Sequence, residues 1–280
     1  PKPVLAAVMD ALAQQHEVSV WSPAAAEAPS SPWHPGPPAD VYLLKSRTPQ
    51  ARALAHSAEW EGAVVLNSPA ATSAALDRHV MTERLALAGV PAPRTWSFPS
   101  LAALAREVAA EVPVAVPAEQ QAGQPGPAWP LVVKSRTSAR GDLVTLVRGD
   151  DDLARLMPEW ADEPVVAQEF VDSDGFDIKV WVIGDDLSAA RRPAALEVVD
   201  KTSDVPLDPD TMPQEWTRVA MEAGAALGLE LFGVDLLVTD SGPVVIDVNA
   251  FPGFGAAADP AASMLRLVER HATATLTPTA

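Results

Sequence analysis

Two carboxylates and an amide recur at alternate positions in one run of the chain, Gly233-Val-Asp-Leu-Leu-Val-Thr-Asp-Ser-Gly-Pro-Val-Val-Ile-Asp-Val-Asn249. Both halves alternate with period two, as hairpin arms do. Taking Asp240-Ser241-Gly242 as a three-residue turn pairs Thr239 with Pro243, Leu237 with Val245 and Asp235 with Asp247. The two carboxylates then face each other roughly 5 Å apart, with Asn249 on the same side. Opposed carboxylates repel, and apolar neighbours raise that cost. A hard divalent cation removes it, and oxygens from Asp235, Asp247 and Asn249 suit Mg²⁺. A solvated polar face fits the same alternation. The tight Ala250-Phe-Pro-Gly-Phe-Gly255 turn that follows favours the metal.

A second run carries the opposite charge: Asp177-Ile-Lys-Val-Trp-Val-Ile-Gly-Asp-Asp-Leu-Ser-Ala-Ala-Arg-Arg-Pro193. A turn around Gly184-Asp185-Asp186 sets Lys179 across from Arg191 or Arg192, depending on loop length. Facing cations call for an anion, and a polyphosphate with its metal is the obvious one. The plain alternative is an exposed basic edge paired with surface acids such as Asp177. Beside the carboxylate hairpin, phosphate is the better expectation.

Elements of both kinds are needed to hold these runs. Residues 3–15 have helical spacing, followed by strands at Val18–Trp21, Val41–Leu44 and Ala63–Leu66, with a helix between the last two. Such alternation implies a small, mostly parallel sheet. Residues 74–90 read as one helix closed by Gly89. The Pro- and Gly-rich run 112–130 reads as a surface loop. Strands follow at Leu131–Lys134, Val144–Val147 and Val165–Gln168, with a helix over Asp151–Trp160, and a further helix from Pro213 to Leu227 separates the two hairpins. The fold class is α/β in front and α+β behind, in units 1–73, 74–166 and 167–280.

The chain's 280 residues suffice for two or three small domains, and the net charge of −17 argues against a nucleic-acid binder. The absence of cysteine excludes disulfides, thiolate metal sites and thiol nucleophiles, and the five scattered histidines show no zinc-ligand spacing. No apolar run reaches the roughly 20 residues of a membrane span. No signal-peptide pattern is seen, which is compatible with the cytoplasm. The helical pattern already under way at Pro3-Val4, with no Met ahead of it, points to a strand upstream.

In order and spacing, a series of segments resembles the ATP-grasp superfamily over nearly the whole chain. They are Asp40-Val-Tyr-Leu-Leu-Lys45, Asn67-Ser-Pro69, Leu76-Asp-Arg78, Val133-Lys-Ser-Arg136 with Gly141, and Gln168-Glu-Phe170. Lys179-Val-Trp-Val-Ile-Gly184, Arg191-Arg-Pro193, Gly233-Val-Asp235 and Ile246-Asp-Val-Asn-Ala-Phe-Pro-Gly253 complete the series. The motifs are nearest to the inositol tris/tetrakisphosphate kinase branch and next to the RimK-like amino-acid ligases. The resemblance implies a small N-terminal parallel-sheet domain and two α+β lobes that sandwich ATP. It implies that Lys134, assisted by Arg78, holds the ATP phosphates. Gln168, Glu169, Phe170 and Val171 would meet the adenine, with Leu236 also at the nucleotide. Lys179 and Arg192 would act on the transferring phosphoryl group, and Asp235, Asp247 and Asn249 would carry Mg²⁺, usually two ions. Catalysis is then mostly positioning and electrostatics. The loop from Ser135 to Asp142 departs from the common Gly-rich ATP-grasp pattern, with one glycine, Gly141; it is nearer the kinase branch but shorter, and it lacks the histidine that branch places after the glycine, with Arg140 as a stand-in anion ligand.

Two enzyme classes share this machinery. A kinase would pass the γ-phosphoryl group to a hydroxyl of a phosphorylated polyol, and a ligase would pass it to a carboxylate that an amine then attacks. Motif similarity favours the kinase, and the acidic chain with few cations for a multiply phosphorylated acceptor stands against it; since most ATP-grasp enzymes are ligases, the resemblance tips the balance narrowly to the ligase. A non-catalytic nucleotide-binding domain is a third reading, disfavoured by the intact charged set. Lys45, at the end of a strand where open α/β sheets place ligands, and Arg140 are expected to hold the acceptor's anionic group. Arg192, Asn249 and Gly253 line the same side. The expected partner is a small-molecule acceptor, with no nucleic acid and no membrane.

Overall fold

The computed structural model describes residues 3–21, 39–110, 126–139, 141–193, 196, 204–208, 211–255 and 257–275. Helix α1 (Pro3–Leu12) precedes β1 (Val41–Leu43), α2 (Pro49–Trp60) and β2 (Val64–Leu66), and the two strands pair in parallel. Thr48 caps α2 with Pro49 at its start, a favourable combination because proline lacks an N–H that would be orphaned there. The expected strand at Val18–Trp21 is not formed. Val20 is 66 % exposed, so this run has no core face to alternate against.

The single helix expected over 74–90 is two: α3 (Pro69–Leu76) and α4 (Arg78–Leu87). Asp77 breaks them, because its backbone is extended and its Oδ1 accepts from the N–H groups of His79 and Val80 at the start of α4. Ser68 caps α3, and Asn67 bonds the backbone of Glu230 and Leu231, tying the small sheet to the large one.

Next come β3 (Thr95–Phe98), α5 (Leu101–Val108), β4 (Leu131–Ser135), β5 (Val144–Val147), α6 (Asp150–Trp160) and β6 (Val165–Glu169), whose strands form a sheet in the order β3-β6-β4-β5. Neither β3 nor α5 is among the elements expected from the sequence pattern. Most of the 112–130 run lies outside the described residues. The last unit is β7 (Phe176–Ile183), β8 (Asp186–Pro193), β9 (Val205–Leu207), α7 (Gln214–Leu227), β10 (Leu231–Thr239), β11 (Gly242–Ala250) and α8 (Pro260–Thr275). Its strands run in the order β11-β10-β7-β8-β9.

The five-stranded sheet is covered on both faces. Ile178, Val180, Val234 and Leu236 pack with α3, α4 and α7. Trp181, Ile183, Leu231 and Phe251 pack with α1, α8 and the small sheet. On α7, Gly224 has no room for a side chain: a Cβ there would lie 2.0 Å from Cζ of Phe232. Helix propensity favours Ala over Gly by about 1 kcal/mol, whereas overpacking a tight core costs about 1–3 kcal/mol. Packing wins at so short a distance. Gly224→Ala should therefore lower the denaturant midpoint with an unchanged slope, and an equal or higher midpoint would show that the Phe232 ring can yield.

Candidate active site

Strand register builds one row of charge. Lys179 on β7 is opposite Asp235 on β10, and Asp235 is opposite Asp247 on β11. Asp177 and Arg192 pair across β7 and β8. Period-two alternation puts these five side chains on the face that α8 and the small sheet cover further along the same strands.

The pairing Asp235 with Asp247 matches the expectation, but not by the expected route. The turn has two residues, Asp240-Ser241, which pairs Thr239 with Gly242 and Leu237 with Val244. A bulge after Asp235 restores the carboxylate pair, leaving Ile246 as the extra residue. Its carbonyl accepts from Lys134 Nζ at 2.9 Å, across the space between the two sheets. The other hairpin also turns tighter than expected, at Gly184-Asp185, so Lys179 stands opposite Ala190 and neither arginine. Arg191 points to the other face, stacking on Phe176 and pairing with Asp174. Lys179 and Arg192 meet instead at Asp235.

Asp235 Oδ1 lies 2.5 Å from Lys179 Nζ and 3.1 Å from Arg192 Nη2. Both cations therefore hold this buried oxygen in ion pairs. Burial alone would raise the Asp235 pKa; Lys179 and Arg192 outweigh it and hold the carboxyl below its usual range. Asp177, a surface acid only in the exposed-edge alternative, is 1 % exposed and accepts from Arg192 Nε. Burial pushes its pKa up to about 6 against the pull of that guanidinium.

On the other side of the cleft, Lys134 Nζ also donates to Gln168 Oε1 at 2.8 Å. Burial lowers its pKa to about 8, with Asp247 opposing the shift. Arg78 does not pair with its neighbour Asp77, which Arg136 holds at 2.8 Å. Its Nη1 donates to Ser135 O at 2.7 Å and to Asp142 Oδ2 at 2.6 Å, and its unpartnered Nε lies 3.9 Å from Asp247 Oδ1. Asp142 and Asp177 are the charged residues that sequence reasoning missed as members. The only signal for Asp177 was its place two residues before Lys179, on the same strand face.

The remaining expected residues fall in three places. Glu169 ends β6 under a bidentate ion pair from Arg94, and Phe170 and Val171 continue from it as half-buried irregular chain towards β7. Leu236 is fully buried on the opposite face of β10, in the core with α7, because alternation turns it away from Asp235. Lys45 Nζ donates to the carbonyls of Phe251 and Pro252 and sits 4.8 Å from the Phe251 ring centre. It thereby anchors the turn after Asn249, and with Gly253 it borders a cavity of about 980 Å³. Arg140 lies outside the described residues.

The residues present fit a hard cation. Asp235, Asp247 and Asn249 offer oxygen ligands on one face, and Asn249 Nδ2 donates to Asp247 Oδ2 at 3.1 Å, leaving its amide oxygen for another ligand. Among the described residues no group of three or more His, Asp or Glu side chains forms a metal cluster, so any ion here also draws on amide and ligand oxygens. Nor is any described helix long and apolar enough to cross a membrane.

The sequence model of the RimK-like ATP-grasp domain matches residues 118–259. Among curated proteins, the chain is 31 % identical over 156 residues to a ribosomal protein bS6–L-glutamate ligase from Escherichia coli O7:K1 (strain IAI39 / ExPEC), covering 51 % of this chain and 52 % of that one. The chain thus spans about half the length of the curated relatives it matches. A RimK-domain ATP-grasp protein from Sphaerobacter thermophilus DSM 20745 has a similar fold, with a TM-score of 0.68 and 23 % identity over 96 % of each chain. A D-alanine–D-alanine ligase from Bacillus anthracis, complexed with ATP, gives 0.57 and 18 % identity over 85 % of this chain and 79 % of its own.

Proposed function

Because the chain belongs to the RimK-like ATP-grasp family, we propose that it is an ATP- and Mg²⁺-dependent ligase joining a carboxylate to an amine. The observation that carries this is the charged row between the two sheets, where Lys179 and Arg192 converge on the buried Asp235 Oδ1 beside Asp247. Of the two branches that the motifs resemble, membership in the ligase family supports the second over the polyol kinases.

In this reading Lys134 and Arg78 bind ATP phosphates, and Gln168 to Val171 border the adenine. Asp235, Asp247 and Asn249 would hold Mg²⁺, two ions in this reading, which would supply positive charge to the phosphates. Lys179 and Arg192 give up part of their hold on Asp235 and neutralise the γ-phosphoryl group as it moves. A carboxylate oxygen of the acceptor attacks the γ-phosphorus and ADP leaves. An amine then attacks the acyl carbon, and inorganic phosphate departs as the amide forms. The three units 1–73, 74–166 and 167–280 have limits that fall inside α3 and β6, so that these elements join neighbouring units beside the cleft, and the use of ATP favours the cytoplasm.

ADP and phosphate release, measured over panels of carboxylate and amine pairs and of phosphorylated polyols, tests the proposal. Free phosphate with an amide product is the expected result. ADP accompanied by a phosphorylated polyol and no free phosphate would replace it with the kinase reading.

A further inference from the structure

The cavity of about 980 Å³ opens beside the turn at Pro252-Gly253 and the loop at Thr137–Ala139, and it is walled by α2, α3 and the start of α4. That is large for a small-molecule site, which typically spans ~300–1,000 Å³. Its charge is the reverse of the chain's. Asp and Glu outnumber Lys and Arg by 37 to 20 in the sequence, yet the lining contains Lys45, Arg47, Arg52 and Arg84 against one acid, Asp77. Arg136 already holds Asp77 through both carboxylate oxygens, so that acid is not available to neutralise the wall.

Arg47 and Arg84 are exposed. Arg52 is half-buried and held in place: its Nη1 donates 2.8 Å to Ser73 Oγ, and that hydroxyl donates 2.7 Å to Pro69 O. Its Nε–H is buried with no acceptor. An unmade bond on a buried charged donor is costly, and a planar guanidinium matches a carboxylate or phosphate with two parallel bonds. No ion pair links Arg47, Arg52 or Arg84 to an acid among the described residues.

We propose that this cavity holds the acceptor by a second anionic group, a carboxylate, through Arg52 with Arg47 and Arg84. The acceptor is then at least a dicarboxylate, one group reacting beside Asn249 and the other bound here. This deepens the ligase reading and rests on it for the identity of the occupant.

Thermal unfolding of the whole chain, at constant ionic strength, tests it with glutarate, pentanoate and glycerol phosphate as probes, each with and without Mg-ATP. Glutarate should raise the midpoint at concentrations about tenfold below pentanoate, as expected for one added charged hydrogen-bonding group. Arg52→Gln and Arg84→Gln should each raise the glutarate requirement about tenfold while the Mg-ATP shift persists. Arg84 is exposed on α4, so its variant keeps the test decisive should Arg52→Gln fold poorly. Equal action of glutarate and pentanoate, or unchanged glutarate binding in both variants, would overturn the proposal. Stabilisation by glycerol phosphate where glutarate has no effect would overturn the carboxylate assignment. A glutarate shift without any Mg-ATP shift would leave this cavity standing and remove the ATP-site reading instead.

Discussion

Asp247→Asn should reduce Mg²⁺-dependent ATP turnover by at least about a hundredfold, the scale on which losing one preorganised charged or donor group at a reacting centre is felt. The substitution keeps shape and removes one charge from an oxygen-donor set that has only two carboxylates. The fold should be spared. Asp247 is not part of the packed core, and its nearest cation, Arg78 Nε, is 3.9 Å away. Its loss also leaves Arg78 with Asp142 and Ser135 O. Repulsion between Asp235 and Asp247 predicts a rise in ligand-free stability, but Lys179 and Arg192 already neutralise Asp235. The midpoint should stay within about 4 °C, equivalent to roughly 1 kcal/mol in a chain of this size. Normal Mg²⁺-dependent turnover in this variant would remove the metal assignment, whereas a large drop in midpoint would mean that Asp247 is structural.

The hairpins show how much of this site the sequence carried and where reading stopped. Period-two alternation places Asp235, Asp247 and Asn249 on one face and sets Lys179 near Arg191 or Arg192; the choice of Arg192 and the joining of the two hairpins come from the family resemblance. Register was harder. The expected three-residue turn is one residue too long, and the bulge at Ile246 adds one residue back, so Asp235 and Asp247 pair through two compensating errors. At the other hairpin no bulge compensates, and Lys179 lands opposite Ala190. Bulges depend on what a strand must reach, here a carbonyl for Lys134 on a different sheet, and local pattern does not record that. The same holds for Asp177. A carboxylate beside a hydrophobic run looks like a surface residue until the partner strand brings Arg192 over it. Asp77 was legible in principle, since an Asp ahead of a helical run is a good N-cap, but the apolar pattern runs on across it and hides the break. Lys45 lies two residues past the end of β1, and its commitment to the carbonyls of Phe251 and Pro252 comes from a contact 206 residues away in sequence.

Lys134→Met should abolish most of the stabilisation that Mg-ATP confers on the wild type, which by mass action is about 2.7 kcal/mol at a hundredfold excess over the dissociation constant. Two effects compete in the ligand-free protein. Methionine leaves Gln168 Oε1 and Ile246 O without their shared donor, at about 1–3 kcal/mol for unsatisfied buried groups. It also removes an ammonium whose burial is unfavourable enough to bring its pKa down to about 8. These oppose each other, so the ligand-free midpoint should move little, and the nucleotide effect can be read cleanly against it. The same shift gives a pH signature. The folded pKa lies below the ordinary lysine value of 10.5, so the unfolded chain binds more protons between about 8 and 10.5. Lys134 alone therefore makes the ligand-free fold relatively more stable as pH rises through that window. Nucleotide binding runs the other way. Phosphate prefers the ammonium, which above pH 8 must take up a proton before it can serve. Mg-ATP affinity in the wild type should accordingly weaken as pH rises through about 8, and Lys134→Met should show a flatter profile at lower affinity. Parallel pH profiles in the two proteins, or a full Mg-ATP shift in the variant, would mean that the phosphates are held elsewhere in the cleft, with Lys134 serving only to tie the two sheets together through Ile246.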